Sequence, residues 1–139
     1  TRSEMNQKVF TLSEANSLIP QLKIMLSEIQ VKRRSVVRLE EELNELYVDN
    51  EGRVEPYKQE DFKLKRTMIN ALYQDLNGLA TEITGLGCQM KDLSKGLVDF
   101  LAIRGGEYVY LCWMFGEDQI QFWHSLHEGF SARRAIGEF

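Results

Sequence analysis

The sequence predicts an α+β fold: a long N-terminal antiparallel helical hairpin packed on a small C-terminal antiparallel β-meander of three to four strands. Apolar residues recur at alternating three- and four-residue steps through the first part of the chain, which is typical of packed helices. After residue 87 the period changes to two, which is typical of strands. At 139 residues the chain is predicted to be a single domain over 1–139, with the hairpin at 8–86, the meander at 88–126 and a tail at 127–139.

The first helix has a clear start signal. Thr11 and Glu14 have the spacing of a capping box, in which a hydroxyl and a carboxylate each accept a hydrogen bond from a backbone N–H at the helix start. Pro20 then interrupts the pattern, because proline removes one helical hydrogen bond and crowds the preceding turn. We therefore expect a short helix over 12–19 that kinks or breaks at Pro20 into a longer one.

Two apolar seams predict the two long helices of the hairpin. Their members are Leu22, Met25, Ile29, Val36, Leu39, Leu43 and Leu46, and then Phe62, Ile69, Leu72, Leu76, Leu79, Ile83 and Leu86. A loop over 48–56 should let the second helix fold back antiparallel to the first. Each seam has one polar position, and the fold-back places Lys32 near Tyr73 and Lys65 near Glu40. These lysines either set the register or extend their charged ends to water.

The meander is predicted to consist of strands at 97–104, 107–115 and 120–126, with a short strand near 88–92 before them. Gly105-Gly106 is a two-residue hairpin turn, and it pairs Arg104 with Glu107 and Asp99 with Cys112. Both faces of this hairpin are apolar. The sheet is therefore expected to be covered on both sides, by the N-terminal helix, by the tail or by a second copy of the chain.

Four side chains are candidate metal ligands: Asp99, His124, His127 and Glu128. Alternation along the third strand predicts that His124 points toward the core beside Leu111, on the face opposite Asp99. In that register the two side chains do not share a cavity. The alternatives are a buried neutral histidine and a carboxylate satisfied by backbone N–H groups.

Arg133 and Arg134 are candidate anion-binding residues, because adjacent guanidinium groups can clamp an anion. The alternative is that they pair with acidic groups of this chain. No phosphate loop, nucleophile elbow or paired-cysteine cluster occurs in the sequence. No catalytic residue is therefore predicted, and the only predicted cofactor is a possible divalent metal.

Several separate motifs carry a family resemblance. They are Phe10-Thr-Leu-Ser-Glu-Ala-Asn16, Ile19-Pro20, the segment 91–100, Tyr110-Leu-Cys-Trp113, Gly116-Glu117, Phe122-Trp-His124 and Gly129-Phe130. In this order they resemble the bacterial family known as domain of unknown function 2203. The resemblance implies a small bacterial protein, and it supplies no activity, substrate or cofactor.

Composition limits the function. The net charge of −4 disfavours a nucleic-acid partner, and the basic residues 32–34 and acidic residues 40–42 are expected to support each other as solvated helix charges. No apolar stretch is long enough for a membrane span. Cys88 and Cys112 form neither a disulfide framework nor a metal-ligand motif, which favours the cytoplasm.

We expect a non-enzymatic module that self-associates or binds a protein partner. The alternative is a metal- or small-ligand-binding module, or a hydrolase, with its site near the sheet edge.

Overall fold

A computed structural model describes residues 7–46, 51–137 and 139. Within these residues it contains helices followed by a five-stranded antiparallel sheet, which confirms the α+β class. The helices are α1 (Leu12–Ser17), α2 (Ile19–Leu46) and α3 (Gln59–Gly85), with 3-10 turns at Pro56–Lys58 and Phe130–Ala132. The strands are β1 (Gln89–Asp92), β2 (Leu97–Arg104), β3 (Glu107–Met114), β4 (Phe122–Ser125) and β5 (Arg134–Ala135), in the order β1-β2-β3-β4-β5.

The start of α1 is the predicted capping box. The Thr11 hydroxyl accepts from the Glu14 N–H, and the Glu14 carboxylate accepts from the Thr11 N–H, both at 3.0 Å. Helix α1 ends at Ser17, and Pro20 is the second residue of α2. Proline is tolerated there, since the first N–H groups of a helix have no intrahelical partner. A kink at Pro20 stays a prediction.

The described residues divide into two compact units: those within 28–79, and those within 1–27 together with 80–139. In the 28–79 unit each lysine of the seams meets a carboxylate of the other long helix. Lys32 donates to Asp75 at 3.1 Å, and Lys65 lies 3.6 Å from Glu42. The Tyr73 hydroxyl donates to Glu40, and the proximity of Lys32 to Tyr73 and of Lys65 to Glu40 stays a prediction. The hairpin as a whole stays a prediction, and positions 48–50 of its predicted loop lie outside the described residues.

The sheet belongs to the other unit. Gly105 and Gly106 have φ values of +58° and +80°, as the predicted two-residue turn requires. The β2–β3 register is the predicted one, with Asp99 opposite Cys112. The prediction of three to four strands was wrong, since β5 adds a fifth. A strand of only two residues leaves no alternation to detect in the sequence.

Strand β2 is buried on both faces over its first six residues. The N-terminal segment contributes to this cover: the Phe10 N–H donates to the Leu101 carbonyl at 2.7 Å, and the Phe10 ring meets the Phe100 ring edge-on. The C-terminal tail lies near the other end of β2, where Phe130 lines a cavity together with Leu97 and Asp99. Among the described residues, no helix is long and apolar enough to span a membrane.

Candidate metal centre

The register of β4 decides where His124 points. His124 is opposite Tyr110 of β3, so its side chain is on the same face as Asp99 and Cys112. The prediction that His124 faces the core beside Leu111 was therefore wrong, because Trp123 takes that position. The cause is the long connection between β3 and β4, which does not fix their alignment as a two-residue turn does.

Asp99, Cys112 and His124 meet at the centre of this face. His124 Nε2 is 3.1 Å from Asp99 Oδ2, and its Nδ1–H donates to the Ser125 carbonyl at 2.8 Å. The ligand-type atoms of Asp99, Cys112 and His124 all lie within 4.8 Å of one another. Each of these three residues is only 2% exposed. Three strands thus bring oxygen, sulfur and nitrogen donors into one buried cluster.

The hydrogen bonds of His124 set its charge. Burial alone lowers the pKa of His124, but hydrogen bonds to Asp99, to Cys112 and to the Ser125 carbonyl outweigh burial and raise this pKa to about 10. The geometry agrees, because both ring nitrogens face acceptors and only the imidazolium can donate from both. His124 and Asp99 therefore lie as a buried ion pair when the histidine is protonated.

A cavity of about 210 Å³ opens beside the cluster. It is lined by Lys91, Leu97, Asp99, Cys112, His124, Glu128, Gly129 and Phe130. Glu128 Oε1 accepts from the Ser125 hydroxyl at 2.7 Å and from Arg134 at 3.2 Å. The bonds from Ser125, helped by the charges of Arg134 and His124, hold the pKa of Glu128 below its usual value. The cavity is therefore lined by a second carboxylate that stays ionised.

The remaining predicted site residues have other surroundings. His127 is exposed, and it is not among the residues that line the cavity. Arg133 donates to Glu117 at 2.6 Å and to the Cys112 carbonyl at 3.1 Å. Arg134 donates to Glu128. Both arginines thus bond acidic groups of this chain, and anion binding by them stays a prediction.

Cys112 is the site residue that the sequence reasoning missed. No metal-ligand motif of the sequence includes Cys112, because the spacing of Cys88 and Cys112 matches none. The signal was nevertheless present, since the β2–β3 register already placed Cys112 opposite Asp99. Adding the correct register of β4 would have completed the cluster.

The fold and the cluster together define an α+β protein with a candidate metal centre on one face of an antiparallel sheet. The chain belongs to the family DUF2203, described as an uncharacterised conserved protein, whose model matches residues 8–136. The match confirms the resemblance carried by the sequence motifs. No curated protein matches the chain, and no solved structure matches it.

Proposed function

We propose that this protein is a divalent-metal-binding module whose ligands are Asp99, Cys112 and His124. The observation that carries the proposal is the convergence of the three donor atoms within 4.8 Å in a buried site. Thiolate, imidazole and carboxylate are the ligands that zinc takes in proteins. A zinc-type ion, bound by one group from each of three strands, fits this donor set.

The three ligand atoms need to move only a short distance to bind a zinc ion. Zinc bonds of about 2.0 to 2.3 Å in tetrahedral geometry place ligand atoms roughly 3.5 Å apart. The Asp99 and His124 atoms are already 3.1 Å apart, and the largest separation of 4.8 Å must shorten by roughly 1.3 Å to bring the Cys112 sulfur to a zinc ion. Three protein ligands leave a fourth position, which Glu128, water or a small ligand entering the cavity can take.

The hydrogen bond from His124 Nδ1–H to the Ser125 carbonyl suits this function. It orients the ring and leaves Nε2 as the ligand atom, which is how metal-bound histidines are commonly held. The ion must displace the proton that Nε2 shares with Asp99 and the proton of the Cys112 thiol. Binding is therefore expected to release protons and to weaken as the pH falls.

Titration calorimetry of chelator-treated protein with Zn²⁺ tests the proposal. We expect one ion per chain, and the Cys112→Ser variant should raise the Kd at least about tenfold. Cys88→Ser is the matched control, because Cys88 is equally buried but lies outside the cluster. Absence of binding, or equal Kd values for the two variants, would refute the metal function.

Self-association is a second candidate function. Four exposed apolar side chains of the 28–79 unit favour it: Val31, Val37, Leu64 and Met68. In this proposal the two long helices form the predicted antiparallel helical hairpin, packed as a coiled coil, and present these side chains to a second copy or a protein partner. The cytoplasm is the proposed location, because its reducing conditions keep Cys112 available as a ligand. A monomer in analytical ultracentrifugation at micromolar concentration would exclude a self-associating module.

A further inference from the structure

The outer face of α2 carries both signs of charge in separate turns. Arg34 and Arg38 are exposed in one stretch, and Glu41 and Glu45 are exposed in the next. At 3.6 residues per turn these four side chains share one face of the helix. The buried residues Val36, Leu39 and Leu43 lie on the opposite face. The charged face is therefore available for contact.

These four charged side chains have no partners within the described part of the chain. None of Arg34, Arg38, Glu41 and Glu45 has an ion pair or a side-chain hydrogen bond there. Arg34 and Glu41 therefore form no ion pair with each other, and the mutual support of residues 32–34 and 40–42 stays a prediction. Val37, which is 55% exposed, lies between the arginines in a shallow groove that Arg34, Arg38 and Glu41 also line. Val37 therefore adds one apolar side chain to a face whose four charges have no partner among the described residues.

We propose that this face binds the same face of a second copy, with the two α2 helices antiparallel. Arg34 and Arg38 are four residues apart, as are Glu41 and Glu45, so each pair spans about 6 Å along the helix. A two-fold axis crossing α2 between Leu39 and Glu40 brings Arg38 to Glu41 and Arg34 to Glu45 of the second copy. Symmetry repeats both contacts, which gives an isologous interface with four ion pairs.

The charge pattern selects a second copy over other partners. A nucleic acid or a uniformly acidic peptide would pair with the arginines but would be repelled by Glu41 and Glu45. Only a surface with the same two signs in reversed order matches all four side chains, and the antiparallel copy supplies it. The inference rests on the proposed self-association and is independent of the metal centre.

Charge reversal with sedimentation velocity tests the surface. We expect the wild type to dimerise with an affinity that weakens at high salt. The double variant Arg34→Glu, Arg38→Glu and the double variant Glu41→Arg, Glu45→Arg should each raise the dimer Kd by about a hundredfold, because every cross-interface pair becomes repulsive. Mixing the two variants should restore a heterodimer, since every pair is then attractive.

The control variant is Lys63→Glu with Arg66→Glu, which makes the same charge change on α3 and should leave the dimer intact. Circular dichroism of each variant verifies that it is folded. A monomeric wild type would overturn both the self-association and this surface. A wild-type dimer that persists in the Arg34, Arg38 variant, or a mixture that fails to associate, would overturn the surface alone.

Discussion

His124 is the residue on which the candidate site depends most. It donates from one nitrogen to a backbone carbonyl and from the other to the Asp99 carboxylate, with both partners fixed by strand pairing. A buried ion pair of this kind contributes to stability only while both charges are present. Without a metal, the protonation state of His124 therefore affects how strongly β2 and β4 are held together.

The pKa of His124 predicts how metal-free stability depends on pH. The folded pKa of about 10 lies above the ordinary value of 6.5. The contribution of the His124–Asp99 pair to the free energy of unfolding is therefore fully present below pH 6.5 and is lost as the pH rises through 10. We expect the free energy of unfolding of chelator-treated wild type, measured in urea, to fall across this window. The His124→Gln variant should lack this part of the decline. Parallel curves for the two proteins would contradict the assigned ion pair.

Strand pairing explains how much of the fold and site the sequence predicted. Gly105-Gly106 fixes the alignment of β2 and β3. The pairing of Asp99 with Cys112 could therefore be predicted from the sequence alone. The connection from β3 to β4 is held by tertiary contacts instead, such as the Ile120 N–H donating to the Asn16 side chain. Such contacts leave no local pattern. A shift of one residue reverses the face on which a side chain lies, and His124 was misassigned for this reason.

Alanine substitution at two glycines in different parts of the fold should change the stability in opposite directions. Gly96 precedes β2 with φ of +68°, and an added Cβ would lie 2.5 Å from the Phe115 Cβ, so Gly96→Ala should destabilise by more than about 1 kcal/mol. Gly78 lies inside α3 with open space around it, and Gly78→Ala should stabilise by up to about 1 kcal/mol. Urea unfolding followed by circular dichroism measures both. A gain in stability at Gly96 would show that the turn before β2 is not constrained in this way.

At the scale of the whole molecule, the candidate centre joins elements that are distant in sequence. Asp99, Cys112 and His124 come from β2, β3 and β4, so an ion bound there would connect the three central strands of the sheet. A ligand that binds only the folded chain stabilises it by mass action. Metal binding and folding of the sheet should therefore be coupled.

This coupling predicts a thermal shift. Zinc at a hundred times its Kd should add about 2.7 kcal/mol to the stability of the wild type and raise its Tm by several degrees. Cys112→Ser should show little of this shift, whereas Cys88→Ser should retain it. Differential scanning fluorimetry with and without a chelator measures the difference. Equal shifts in the two serine variants would mean that the ion binds elsewhere.

The hydrogen bond from Phe10 to Leu101 has a consequence for aggregation. Strand β1 pairs with β2 only as far as Asp99. Beyond that point the Phe10 N–H hydrogen-bonds the backbone of β2, at the Leu101 carbonyl. An uncovered edge strand is a template with which another chain can pair. Proteolysis that removes the residues up to Phe10 would free the Leu101 carbonyl, and the shortened chains would then be prone to pair edge to edge and aggregate.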